Sequence, residues 1–275
     1  MSKKNLAAIH FIGSGPGDPE LITVKGKRLL EEADVVIYAG SLVNEKVLQY
    51  AKKEAAVYNS ASMTLEQIMK IMKEGANNGK KVTRLHTGDP TLYSALREQA
   101  DILKREEIPY EVIPGVSSAF ASAAALKQEL TMPEVTQTVI FTRLEGNTAV
   151  PERERLAELA GHQATMCIFL SVGMIEKVVE ELRQGYPEDT PAAVVYRATW
   201  EDEKIVRGTL KDIAVKVKKA KIARQAMIIV GETLGHGPAP AGSKQGARGK
   251  GQRSKLYDKN FEHGYRKKEK LRGDD

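Results

Sequence analysis

The sequence predicts an α/β protein of two domains with a ligand cleft between them. Short apolar runs alternate with amphipathic segments through most of residues 1–235, the pattern of parallel or mixed sheets covered by helices on both faces. Three of the first strands end in glycine-bearing turns, and the C-terminal edge of such a sheet is where ligands usually bind. No apolar stretch approaches the roughly 20 residues needed to cross a bilayer.

The first strand is read at Ala7–Ile12, an apolar run that stops at a glycine loop. A helix is predicted over Glu20–Glu32, with Asp18 as its cap and Pro19 in its first turn, where a missing N–H does no harm. Asp34–Tyr38 is the second strand, and Asn44 caps a short helix. Thr64 and Gln67 have capping-box spacing, and Ile68, Ile71 and Met72 give the helix behind them an apolar stripe. Lys81–Leu85 reads as a strand. Thr91–Glu106 reads as a helix with Leu92, Leu96, Gln99 and Leu103 on one face. Tyr110–Ile113 is a strand closed by Pro114-Gly115, followed by a small alanine-rich helix, Ser117–Lys127. The second set of strands is Thr138–Thr142, Thr165–Leu170, Ala192–Tyr196, Lys204–Arg207 and Ala226–Val230. Its helices are Glu152–Ala160, Met174–Gln184 and Leu210–Ala220. The boundary is expected between Pro114 and Pro133, giving domains at 1–118 and 119–235. Residues 236–275, rich in Gly, Pro, Lys and Arg, form an expected disordered basic tail without a specific role.

The formal net charge is +6, from 42 basic and 36 acidic residues. All of that excess lies in the tail, so the folded part is neutral and its composition argues against nucleic acid as a partner. The single cysteine, Cys167, lies in the apolar run MCIFL and is read as a buried thiol. The N-terminus carries no cleavable signal pattern, and a reducing cytoplasm is the expected location. No metal site is expected.

Three turns carry the candidate chemistry. The first is Gly13-Ser14-Gly15-Pro16-Gly17-Asp18. A phosphate cradle wants amide donors and positive charge, whereas Pro16 removes a donor and Asp18 adds a carboxylate. The second is Thr87-Gly88-Asp89-Pro90. Gly88 permits close backbone approach, and Asp89 either accepts from a ligand or caps the helix predicted at Thr91. The third is Pro114-Gly-Val-Ser-Ser118, with two hydroxyls entering a helix.

Together with YAGSLV, TQTVIFTRLEG, FLSVGM and YRATWEDEKIVRGTL, these turns resemble the tetrapyrrole (corrin/porphyrin) methyltransferases. YAGSLV, TQTVIFTRLEG and YRATWEDEKI are the segments that resemble the branch acting on carbon 11 of precorrin-4 or cobalt-precorrin-4 in cobalamin synthesis. The resemblance covers Met1 to about Glu232; the tail departs from the family pattern. It implies S-adenosyl-L-methionine as cofactor, a homodimer, and two α/β domains with the cofactor in the cleft. By the same resemblance, the cofactor contacts are Pro16, Thr87, Gly88, Asp89, Leu92, Ser117, Ser118, Leu170, Ala198 and Met227, and the glycine-rich opening loop borders the tetrapyrrole. A substrate bearing many carboxylates calls for cations, and Lys25, Arg84, Arg143 and Arg197 lie beside the motifs. Ser14, Asp18 and Glu145 are further substrate-side candidates. No residue is assigned as a catalytic base; His10 and His86 are read as structural. The alternatives are a tetrapyrrole methyltransferase acting at another carbon or on uroporphyrinogen III, an RNA or diphthine methyltransferase of the same superfamily, and a non-enzymatic nucleotide-binding module.

Overall fold

In the computed structural model, residues 7–146, 148–236 and 261–266 are described. They divide into two compact units: the chain up to Ala125 with Val195–Ile205 and Arg224–Met227, and the remainder.

The first unit is built on five parallel strands: β1 (Ile9–Gly13), β2 (Val35–Tyr38), β3 (Ala56–Asn59), β4 (Val82–His86) and β5 (Tyr110–Ile113), in the order β3-β2-β4-β1-β5. Its central strands are apolar because both faces are covered. One face buries Ile9, Phe11, Val35, Ile37 and Val82 with Met69, Met72 and Leu103. The other buries Ile12, Val36, Leu85 and Ile113 with Leu29 and Leu30. The helices are α1 (Val24–Glu31), α2 (Leu65–Asn77), α3 (Leu96–Arg105) and α4 (Ser118–Leu126). The capping box at Thr64 and Gln67 forms with both of its hydrogen bonds, and the Asn44 side chain caps a 3-10 turn, Glu45–Tyr50.

The helix expected over Glu20–Glu32 is broken. Asp18 caps a 3-10 turn, Pro19–Leu21, and the Thr23 hydroxyl accepts from the Gly26 amide at 3.1 Å, starting α1 afresh at Val24. The helix expected from Thr91 starts at Leu96. Tyr93 and Ala95 adopt left-handed φ values of 51° and 52°, which an α-helix cannot include, and Asp89 holds the Thr91 amide. The edge strand β3 was absent from the expected elements; its residues are mostly exposed, so its sequence has no apolar signature.

The second sheet has the order β6-β7-β10-β8-β9: β6 (Val139–Arg143), β7 (Thr165–Phe169), β8 (Pro191–Tyr196), β9 (Lys204–Thr209) and β10 (Ala226–Val230). β6 and β7 are parallel and β7 and β10 antiparallel, so the sheet is mixed. Helices α5 (Leu156–Ala160), α6 (Ile175–Leu182) and α7 (Ile213–Lys219) accompany it. Cys167 is buried in β7, and that burial pushes its thiol pKa up to about 12, so it stays protonated. Among the described residues no helix is long and apolar enough to cross a membrane. The tail expected to be disordered lies outside the described residues, apart from His236 and a short turn in which His263 and Arg266 pair through their backbones.

Candidate functional site

The ends of β1, β4 and β5 meet closely. Ser14 N–H and Ser14 Oγ both donate to the His86 carbonyl, at 2.8 and 2.9 Å. Gly88 N–H donates to the Gly15 carbonyl at 2.8 Å, joining the first and second turns. A Cβ on Gly13 would lie 2.5 Å from the Gly88 oxygen, and one on Gly115 would lie 2.1 Å from it. Glycine is therefore required at both positions, because every atom met first is backbone. A Cβ on Gly88 would meet the Ser117 and Ser118 backbone only at ordinary contact distances near 3.7 Å, so there the left-handed φ of +60° is what favours glycine.

Asp89 ties the second turn to the third. Its Oδ2 accepts from the Gly115 amide at 2.9 Å, and its Oδ1 accepts from the Thr91 amide at 2.8 Å and hydroxyl at 2.5 Å. Burial alone would raise its pKa, but these bonds outweigh it and leave the carboxyl below its ordinary 3.8. The clamp is therefore complete above that value and lost as pH falls through the lower folded value. On the cofactor role that the resemblance implies for it, Asp89→Ala is expected to weaken S-adenosylhomocysteine binding by roughly tenfold, the worth of about one charged hydrogen bond. Wild-type affinity by calorimetric titration would reduce Asp89 to a turn-forming residue.

A second clamp holds the opening loop. The segment Arg197–Glu203 counts with the first unit, and the chain's single tryptophan, Trp200, donates its indole N–H to the Pro16 carbonyl at 2.9 Å. Thr199 Oγ1 accepts from the Asp18 amide at 3.0 Å. A Cβ on Gly17 would lie 2.1 Å from the indole, so Gly17 makes room for the ring. Arg197 lies over that ring at 4.5 Å, donates from Nε to Gln225 and pairs with Asp202 at 2.9 Å. Arg197 and Thr199 both take left-handed φ, at 47° and 71°. Such strain in non-glycine residues concentrates at functional sites. Neither Trp200 nor Thr199 is among the site residues expected from the sequence; a lone tryptophan beside a polar run is the signal that points to the segment.

The first unit thus gathers Ser14, Pro16, Asp18, Thr87, Gly88, Asp89, Ser117 and Ser118 on one set of joined turns. Leu92 follows on the left-handed stretch before α3, and Ala198 and Met227 are buried in the segments clustered with this unit. Lys25 is paired with Glu111. Arg84 is buried rather than solvated. His86 is buried, and burial with the nearby Arg84 charge takes its pKa down to about 3, so the ring is neutral. The second unit holds Arg143, Glu145 and Leu170 together at the ends of the parallel strands β6 and β7. Arg143 donates to the Thr148 and Ala149 carbonyls at 3.0 and 2.9 Å, and Leu170 is exposed with φ 55°.

The joined turns offer backbone groups, serine hydroxyls and carboxylates. This set suits a ligand with hydroxyls and cationic groups better than a phosphate. The family of tetrapyrrole (corrin/porphyrin) methylases matches residues 8–214. The chain belongs to this family. The tetrapyrrole methylases similar to it include a cobalt-precorrin-4 C(11)-methyltransferase of Methanocaldococcus jannaschii, 61% identical over 97% of this chain and 98% of that protein. A precorrin-4 C(11)-methyltransferase of Pseudomonas aeruginosa is 48% identical over 82% of this chain and 90% of its own. Among solved structures, a cobalt precorrin-4 methyltransferase of cobalamin biosynthesis is 50% identical, with a TM-score of 0.81, over 82% of this chain and 95% of that one. A uroporphyrin-III C-methyltransferase of Thermus thermophilus, complexed with S-adenosylhomocysteine, is 30% identical with a TM-score of 0.71, over 83% and 99%. One expectation is corrected. The tail is no departure from all relatives, since a match over 97% of the chain takes in most of residues 236–275.

Proposed function

We propose that this enzyme methylates carbon 11 of a precorrin-4 substrate in cobalamin biosynthesis, and that the substrate is the cobalt-bearing form. The methyl donor is S-adenosylmethionine. The observation that carries the reading is the 61% identity over nearly the whole of both chains to a cobalt-precorrin-4 C(11)-methyltransferase. The preference for cobalt rests on the tail. That relative aligns through most of it, whereas the precorrin-4 relative aligns over 82% of this chain.

When bound, the donor supplies an electrophilic methyl on a cationic sulfonium. The protein's part is to hold the acceptor carbon in line with that methyl, and alignment supplies several kcal/mol of a barrier of this kind. In this reading the turns around Gly88, Asp89, Ser117 and Ser118 hold the cofactor together with Pro16, Thr87, Leu92, Leu170, Ala198 and Met227. The neutral His86 ring adds no positive charge to a site that takes a sulfonium. Ser14 and Asp18 on the clamped opening loop border the tetrapyrrole, with Lys25, Arg143, Glu145 and Arg197 as further substrate-side groups. Arg143, Arg197 and Lys25 already have partners, so their part is to shape the loops unless those partners are exchanged. A homodimer, from the family resemblance, and a cytoplasmic location, from the single unpaired cysteine, complete the proposal.

Calorimetric titration tests the cofactor class: S-adenosylhomocysteine should bind and NAD and ATP should not. Mass spectrometry then tests the substrate. One added methyl on cobalt-precorrin-4, and none on uroporphyrinogen III, is the expected result. Methylation of uroporphyrinogen III instead would overturn it.

A further inference from the structure

Strand β4 carries a charge that its surroundings do not neutralise. Arg84 is 6% exposed, on the sheet face that also carries Phe11, Ile37 and Val82. Its Nη1 donates to Ser60 Oγ at 2.9 Å, and the Ser60 hydroxyl in turn donates to the Tyr38 carbonyl at 3.0 Å. Its Nε has no partner. Burial alone lowers its basicity, to about 10, and no carboxylate among the described residues comes close enough to counter it. The group therefore stays protonated at neutral pH.

A buried cation without a counter-ion is destabilising, and an apolar side chain of the same length would fill the space without that cost. The neighbourhood repeats the pattern. His86, two residues on and on the same face, has a buried Nε2 without a partner. Gln99 of α3 lies one helical turn before the core residue Leu103. It spends its Nε2 on the Ala95 carbonyl at 3.1 Å and leaves a buried Oε1 unmatched. Three buried polar groups short of partners on one side of one sheet mark a place that something else completes. The guanidinium also points toward the ligand edge. Its partner Ser60 lies just past the C-terminal end of β3, and the left-handed residues Tyr93 and Ala95 follow the Gly88 turn at the end of Arg84's own strand. Of the four cations beside the motifs, Arg84 is the one without a carboxylate or carbonyl partner.

We infer that Arg84 is the receptor for one carboxylate of the substrate, an inference that rests on the tetrapyrrole reading above. A guanidinium matches a carboxylate with two parallel hydrogen bonds, and Nε is one of the donors such a pair uses. Binding supplies the missing counter-charge, so the cost stored in the free protein is returned in the complex.

The test compares Arg84→Met and Arg84→Lys with the wild type in the full-length chain, reading KM for the tetrapyrrole, affinity for S-adenosylhomocysteine, and Tm. Arg84→Met should raise KM at least tenfold, keep the cofactor affinity within about twofold, and leave Tm unchanged or higher. Arg84→Lys, which keeps the charge and loses the fork, should fall between. An unchanged KM in Arg84→Met, with the wild type active, refutes the inference alone. A lower Tm in Arg84→Met, whatever its KM, shows that the arginine serves the fold and refutes it too. A wild-type chain inactive on every tetrapyrrole refutes the proposed substrate and takes this inference with it.

Discussion

Gly115→Ala should lose about 3 kcal/mol or more of stability and with it the binding of S-adenosylhomocysteine. The added methyl would sit 2.1 Å from the Gly88 oxygen and 2.7 Å from the Gly13 Cα. Both neighbours are backbone, held by the pairing of β1 with β4 and β5, so no side chain can swing aside. Overpacking of a rigid site costs ~1–3 kcal/mol, and a backbone clash belongs at or beyond the top of that range. The same movement would displace the amide that Asp89 holds. Gly161→Ala is the control: its Cβ would meet nothing closer than 3.5 Å at a φ of −60°, and stability should change by about 0.5 kcal/mol or less. Thermal or urea unfolding of the two variants decides the matter. Equal, small losses would mean that the three strand ends are not locked together.

Trp200→Ala should lower kcat/KM by at least tenfold, chiefly through KM for the tetrapyrrole. The ring anchors the Pro16 carbonyl, fills the space left by Gly17 and supports the Arg197 guanidinium at 4.5 Å. Removing it loosens the outer part of a loop that otherwise keeps the bond from the Asp18 amide to Thr199 and the bond from the Asn44 side chain to the Gly17 carbonyl. One neutral hydrogen bond is worth about 1 kcal/mol and a cation–π contact ~0.5–2, which together give a factor of ten or more if they hold the loop in its binding position. Trp200→Phe separates the contributions, since it keeps a ring for Arg197 and loses the N–H. It should show a smaller rise in KM. A wild-type KM in Trp200→Ala would reduce the clamp to surface packing.

The regular parts of both sheets could be read from residue types, because buried strands are apolar runs and their punctuation is glycine and proline. Tyr110–Ile113 and Ala226–Val230 have the expected bounds for this reason. The errors have local physical causes. Thr23 interrupts the helix expected from Glu20 by capping a new one, a competition that apolar spacing does not register. The start of α3 is displaced by left-handed residues tied to Asp89, which sits in the site itself. The three glycine turns were legible as a ligand edge. Their mutual contact was not, since it joins residues about 75 and 27 positions apart, mostly through backbone atoms with the Ser14 hydroxyl and the Asp89 carboxylate added. The burial of Arg84 was equally hidden, because a charged residue in a strand is ordinarily placed on the solvent face.

The central claim is the position of the transferred methyl. An isotope-labelled methyl donor, cobalt-precorrin-4 and the purified full-length chain, followed by NMR of the product, test it directly. The account predicts one labelled methyl, on carbon 11, formed by the wild type and strongly reduced in Trp200→Ala. A label on any other ring carbon, or on no tetrapyrrole at all, would contradict it.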